Sequence, residues 1–302
     1  MIGSAIRELS AARTVSLISA AFYEGHVQIW NLDSQRMEGE FPIRKNGSKN
    51  LTMHPDGEFI VAGFSAKRGS VIAYATPDGA IMWRRDKIEE GGFLSSDRSG
   101  LRVSFCRGRR ESVERVDARS GVTVELLENT GRYVDGPNGS ALLASSSGPN
   151  YLIVQRDDKV SVPKLTFALL DAAFSPATVC ITESGGPVRC VDCLTGTELW
   201  RHTSPDGSHA LRLHYNCVDG FFYGVVWHYD RGQFRYLARF DAETGQASIV
   251  RSLNSWAEVF SEAAQQLVTS SGEIISLSSG EKVGELAFPL KEYPDQFTVE
   301  NL

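Results

Sequence analysis

Cys190-Val-Asp-Cys193 is the sharpest chemical spacing in the sequence, because two thiols three positions apart can form half of a zinc site or a redox pair. A structural zinc site needs four ligands, however, and the sequence holds no second Cys-x-x-Cys and no His-x-x-x-His. On an extended strand, residues three apart point to opposite faces, so the pair reads as one strand cysteine and one cysteine beside a turn. The histidines, His26, His54, His202, His209, His214 and His228, are scattered. His209 and His214 flank a strand and, five positions apart, are expected on opposite sides. No nucleophile elbow, phosphate-binding loop or paired metal-ligand helix occurs. Ser184-Gly-Gly186 and Gly91-Gly92 read as turns between strands, since no helix follows whose N-terminus would hold an anion. No catalytic, cofactor-binding or metal-binding residue is assigned. The enzyme reading is the alternative: a hydrolase-like, lactonase-like or quinoprotein-like site gathered from several repeats at the mouth of a central channel.

The elements that would position any such site are set by a repeat. Asp117-Ala-Arg-Ser-Gly121, Asp192-Cys-Leu-Thr-Gly196, Asp241-Ala-Glu-Thr-Gly245 and Ser276-Leu-Ser-Ser-Gly280 superpose without gaps, Ala75-Thr-Pro-Asp-Gly79 is a weaker copy, and Asp33-Ser-Gln-Arg-Met37 keeps the acid but loses the glycine. Asp or Ser bonds the backbone ahead of it and Gly takes the positive φ, so each copy predicts a strand-turn-strand hairpin. Small turns such as His54-Pro-Asp-Gly57 precede apolar strands upstream, which completes a four-stranded unit. Hairpins centred near residues 35, 78, 120, 158, 195, 244 and 279 have the period of a β-propeller, whose repeats bury their faces only against neighbours.

Val188-Arg-Cys-Val-Asp-Cys-Leu-Thr-Gly-Thr-Glu-Leu-Trp200 resembles the repeat of quinoprotein-dehydrogenase-like propellers, in which a Trp four residues beyond the Gly docks between blades, and Pro77-Asp-Gly-Ala-Ile-Met-Trp83 keeps the same offset. Val27-Gln-Ile-Trp-Asn-Leu-Asp33 and Met53-His-Pro-Asp-Gly57 resemble WD-repeat phrases. The likeness is generic to the blade: beyond Gly121, Gly245 and Gly280 the same offset holds Glu125, Ile249 and Gly284. The expected fold is all-β, a single seven-bladed β-propeller of four-stranded antiparallel blades. The blades are expected at about 1–43, 44–86, 87–128, 129–164, 165–203, 204–250 and 251–288, with a tail over 289–302 in which residues 296–301 read as a strand lent to the first or last blade.

With 302 residues, 42% hydrophobic and 23% charged, the chain has the balance of a globular body and no low-complexity linker. Met1 to Arg13 lacks a signal-peptide layout, and no apolar run of roughly 20 residues offers a membrane span. Cys106, Cys180, Cys190, Cys193 and Cys217 are odd in number and sit mostly in apolar strand contexts, which is no disulfide framework. The expected compartment is the cytoplasm.

The net charge of −6 resides in residues 252–302, where Glu258, Glu262, Glu273, Glu281, Glu285, Glu292, Asp295 and Glu300 face only Lys282 and Lys291. An acidic last blade steers basic partners and repels nucleic acid, while Arg107-Gly-Arg-Arg110 is diluted by neighbouring acids. Phe221 to Tyr229 and Gln233 to Phe240 flank the turn Asp230-Arg-Gly232, an aromatic hairpin expected to project. Aromatic and arginine anchors dominate protein interfaces, so Trp227, Tyr229, Arg231 and Phe234, with Glu281 and Glu285, are the expected partner-binding residues. The expected function is a non-catalytic protein-protein interaction scaffold, an inhibitor of immunity type or an adaptor. Its partner would be another protein with a basic surface, neither nucleic acid nor membrane, with no cofactor.

Overall fold

The computed structural model describes residues 6–43, 50–64, 69–88, 94–96, 99–107, 112–128, 130–137, 140–145, 151–155, 158–161, 169–204, 209–227, 235–255 and 258–288. Those residues form four-stranded antiparallel sheets, each from strands consecutive in sequence: sheet 1 over residues 6–42, sheet 2 over 50–88, sheet 3 over 94–128, sheet 4 over 130–161, sheet 5 over 169–202, sheet 6 over 209–253 and sheet 7 over 258–285. The fold is all-β, and the sheets take a β-propeller arrangement with the first strand of each innermost and the fourth outermost.

A second strand has a strand on either side and a sheet on each face, so it should read as an unbroken apolar run. Phe59–Phe64 does, and all six residues are buried. Alternation sorts them between neighbours: Ile60, Ala62 and Phe64 pack toward sheet 1, Phe59 and Val61 toward sheet 3. A one-residue slip would exchange the two sets, so packing on both faces fixes the register. The outermost strands differ; Thr123–Glu128 alternates between exposed and half-buried residues. Apolar clusters join each sheet to the next in sequence. A last one packs Leu9, Ile18 and Trp30 of sheet 1 against Val268, Ile274 and Phe288 at sheet 7. Both of these sheets complete their four strands locally; residues 296–301, the expected closing strand, lie outside the described residues.

The repeated turn forms as its chemistry requires. Asp192 Oδ1 accepts the backbone N–H groups of Leu194 and Thr195 at 2.9 and 2.8 Å and the Thr195 hydroxyl at 2.9 Å. Asp117 and Asp241 repeat the pattern. Sheet 1 corrects the expected frame Asp33–Met37. Asn31 is the acceptor there, its Oδ1 taking the Ser34 N–H at 3.0 Å, and Gln35 adopts the positive φ of 54° that glycine adopts elsewhere. An amide oxygen accepts like a carboxylate, which moves the frame two residues upstream.

Trp83 and Trp200 leave their outer strands to dock on the next sheet's turn. Trp83 Nε1 donates to Ala118 O at 2.8 Å and Trp200 Nε1 to Ala242 O at 2.9 Å. Their rings lie on Gly121 and Gly245, where a Cβ would come within 2.7 and 2.6 Å of the indole. The turn glycine is therefore required twice, by its positive φ and by the ring above it. At the sheet 7 to sheet 1 seam the sizes are exchanged. Gly284 occupies the docking position and lies against Gln35 of the sheet 1 turn.

Candidate functional site

The first strands of sheets 1, 2, 4, 5, 6 and 7 line a central cavity of about 560 Å³. In sheets 1, 5 and 6 that strand carries a β-bulge between Ile6 and Glu8, between Leu169 and Asp171, and between Ala210 and Arg212. A bulge breaks the alternation and re-aims the next side chain. Glu8, Asp171 and Arg212 thereby share one register position, and all three line the cavity.

The charges at this position hold one another. Arg212 Nη2 donates to Glu8 Oε1 at 3.1 Å, linking sheet 6 to sheet 1 past sheet 7. Asp171 Oδ2 accepts the Leu213 N–H at 2.8 Å, linking sheet 5 to sheet 6. At the head of sheet 7, Glu258 takes Arg235 Nη1 on both carboxylate oxygens at 3.0 and 2.9 Å. Burial lifts the Glu8 and Glu258 carboxyls above the ordinary glutamate value, although Arg212 and Arg235 respectively pull against it. For Arg212 the loss of solvent is the largest influence, yet the nearby acids, led by Glu8 and Asp171, outweigh it and raise its pKa. Its side chain remains 49% exposed, opening on the cavity. Among the described residues no three of His, Cys, Asp and Glu gather where they would hold a metal ion. As chemistry, this set fixes the inner rim with charge-assisted bonds.

The expected partner-binding residues divide. Trp227 ends the second strand of sheet 6, half-buried and opposite Arg235; Tyr229, Arg231 and Phe234 lie outside the described residues. Glu285 ends the outermost strand of sheet 7, in register with Glu273, while Glu258 pairs with Thr269 at that same end. The Arg235–Glu258 contact therefore places Trp227 and Glu285 at one end of the ring. Glu281, next to the turn glycine Gly280, sits at the other.

The acidic sector is also less free than its sequence implies. Glu258 is buried in its ion pair, Glu285 meets Lys282 Nζ at 2.6 Å and Glu273 lies 3.9 Å from Arg251. Glu292, Asp295 and Glu300 lie outside the described residues. Likewise Arg115 and Arg119 are paired, with Glu125 and Glu58.

The outermost strands expose apolar side chains. On sheets 2 and 3 these are Ile81 and Met82, then Val124 and Leu126, with Val122 in the turn just before the last strand, and their exposure runs from 38% to 62%. Cys180 and Cys190 stand directly opposite on neighbouring strands of sheet 5 as free, buried thiols. Burial pushes Cys190 up to about 11 and Cys193 to about 12. Cys190 faces sheet 6 and Cys193 faces sheet 4, so this Cys-x-x-Cys never converges.

Sequence reasoning passed over Glu8, Asp171, Arg212 and Arg235. A signal existed: Ile6-Arg-Glu-Leu, Leu169-Leu-Asp-Ala and Ala210-Leu-Arg-Leu each set a charge two residues after an apolar one in the opening strand of a repeat. No protein-family model matches the chain, and no curated protein matches it.

Proposed function

We propose that the chain is a single seven-bladed propeller, diverged from the WD-repeat-like and quinoprotein-like blade pattern, that serves as a non-catalytic platform for another protein in the cytoplasm. Support for one ring of seven comes from the unbroken succession of apolar seams, the last of which returns from sheet 7 to sheet 1. The opposed but unbonded Cys180 and Cys190 suit a reducing compartment. The observation that carries the platform reading is the outer rim of sheets 2 and 3, where Ile81, Met82, Val124 and Leu126 stand exposed on edge strands with Val122 beside them. Edge strands offer unpaired backbone groups, and apolar side chains beside them favour another protein over water. Trp227 and Glu285, at one end of the ring, are proposed to contribute, together with Tyr229, Arg231, Phe234 and Glu281. A single dedicated partner, whether neutralised as by an immunity protein or held as by an adaptor, accounts for a rim without an assigned reactive group.

The test is crosslinked capture from native lysate followed by mass spectrometry, with wild type beside Val124→Asp/Leu126→Asp and Trp227→Ala. One protein recovered in near-stoichiometric amount and lost with the rim variant is the expected result. Equal recovery by all three forms, or none by wild type, would remove the reading.

A further inference from the structure

The seam between sheets 5 and 6 contains a second cavity of about 300 Å³. Val188 and His202 of sheet 5 face Ala210, Tyr236, Ala238 and Phe240 of sheet 6 across it, and none of its lining residues carries a formal charge. Its origin is visible in the other seam with a docked Trp. Two residues beyond Trp83, Arg85 pairs with Glu114 at 2.6 Å, and Thr123 also donates to that carboxylate; Phe105 stands opposite Glu114 on the adjacent strand. Counted from Trp200 and Gly245, the same positions hold His202, Ala238 and Ala247, and the residue opposite Ala238 is Gly224. An ion pair, a hydroxyl and a phenyl ring are replaced by one imidazole, two methyl groups and a glycine. Phe240 reclaims part of the space by lying over Gly224; the rest stays open beside the exposed Ile249.

This cleft opens to solvent beside Ile249 and is much larger than the gaps between packed side chains, which rarely exceed a water molecule. At about 30 Å³ per water-sized group it has room for roughly ten non-hydrogen atoms. His202, Tyr236 and Phe240 set three rings among small and aliphatic residues in its wall, with the His202 and Phe240 rings edge to face at 5.4 Å. Burial lowers the His202 pKa, so the imidazole is neutral near pH 7 and offers one N–H and one acceptor nitrogen. Apolar walls with a few convergent polar groups are the composition of small-molecule sites.

We propose that the sheet 5 to sheet 6 seam binds a small uncharged aromatic molecule of indole size. The site does not depend on the platform reading, because it is tested on the isolated chain. Indole titrated by calorimetry and by ligand-observed NMR is expected to bind at one saturable site. Tryptamine and indole-3-acetate should bind about tenfold more weakly or worse, since the walls hold no counter-charge. Ala238→Leu fills the void and should abolish indole binding while keeping or raising the Tm. His202→Arg/Ala238→Glu, which rebuilds the pair of the other seam, should abolish it too and covers the case in which Ala238→Leu fails to fold. No saturation by wild type up to the solubility limit of indole, or binding unchanged in the folded variants, would overturn the site.

Discussion

Two sets of carboxylates in this ring move in opposite directions, although both accept hydrogen bonds. Asp117, Asp192 and Asp241 sit on the outer turns, where a hydroxyl or backbone N–H groups hold them below the ordinary aspartate range: the Ser120 hydroxyl leads at Asp117, and the N–H groups of Thr195 and Thr244 lead at the others. Glu8 and Glu258 sit at the inner rim and are raised, because burial outweighs the arginine beside each. Solvent makes the difference. On the turns the donors add to hydration, whereas on the inner rim the arginine replaces only part of what the carboxylate has lost. The outer acids are local turn-formers; the inner ones are ties between sheets.

The comparison breaks first at Arg235. Arg235→Met leaves Glu258 buried without its ion pair and should lower stability by about 3 kcal/mol at pH 7, the range for breaking a buried pair, read from the urea midpoint. A loss as small as that of a surface pair would mean that Glu258 is better solvated than its burial indicates. Asp192→Ala comes next. It removes three accepted bonds at an exposed turn where water can substitute, so the loss should be about 1 kcal/mol or less. Asp192→Asn should cost less still, because Asn31 already fills that role in sheet 1. If Asn proves as costly as Ala, charge and not the acceptor atom makes the turn.

How much of this was legible depends on the range of each interaction. Asp117, Asp192 and Asp241 bond within four residues, so type and spacing suffice; the Trp83 and Trp200 docks follow from a fixed offset to a glycine. Asn31 and Gln35 escaped because two substitutions moved the frame together while keeping its geometry. The inner rim was hidden for another reason. Glu8 and Arg212 are partners 204 positions apart, and the bulges that align them with Asp171 are marked only by a charge two residues after an apolar one, a phrase too short to reveal a change of parity. Glu258 read as free surface charge because its partner lies on another sheet. Tyr229, Arg231 and Phe234 belong to residues outside those described, so the aromatic hairpin remains a proposal.

The smallest effect separates the two sets most cleanly. Arg212 is half exposed to the cavity, so Arg212→Met should cost only about 0.5 kcal/mol at pH 7, but its dependence on pH has a definite sign. A carboxyl whose folded pKa is raised opposes folding above that pKa, and the opposition fades as pH falls toward the ordinary value of about 4.5. Without Arg212 the folded pKa of Glu8 rises further, so the gap between variant and wild type should shrink from pH 7 to pH 5. The same holds for Arg235→Met and Glu258. For a carboxyl held below its ordinary value the stabilisation is intact above about pH 3.8 and is lost only as pH falls through the depressed folded value. The Asp192→Ala gap should therefore stay level between pH 7 and pH 5 and close only at lower pH. Midpoints measured for the three variants across that window decide the matter: parallel profiles would show that burial does not distinguish the inner rim from the turns.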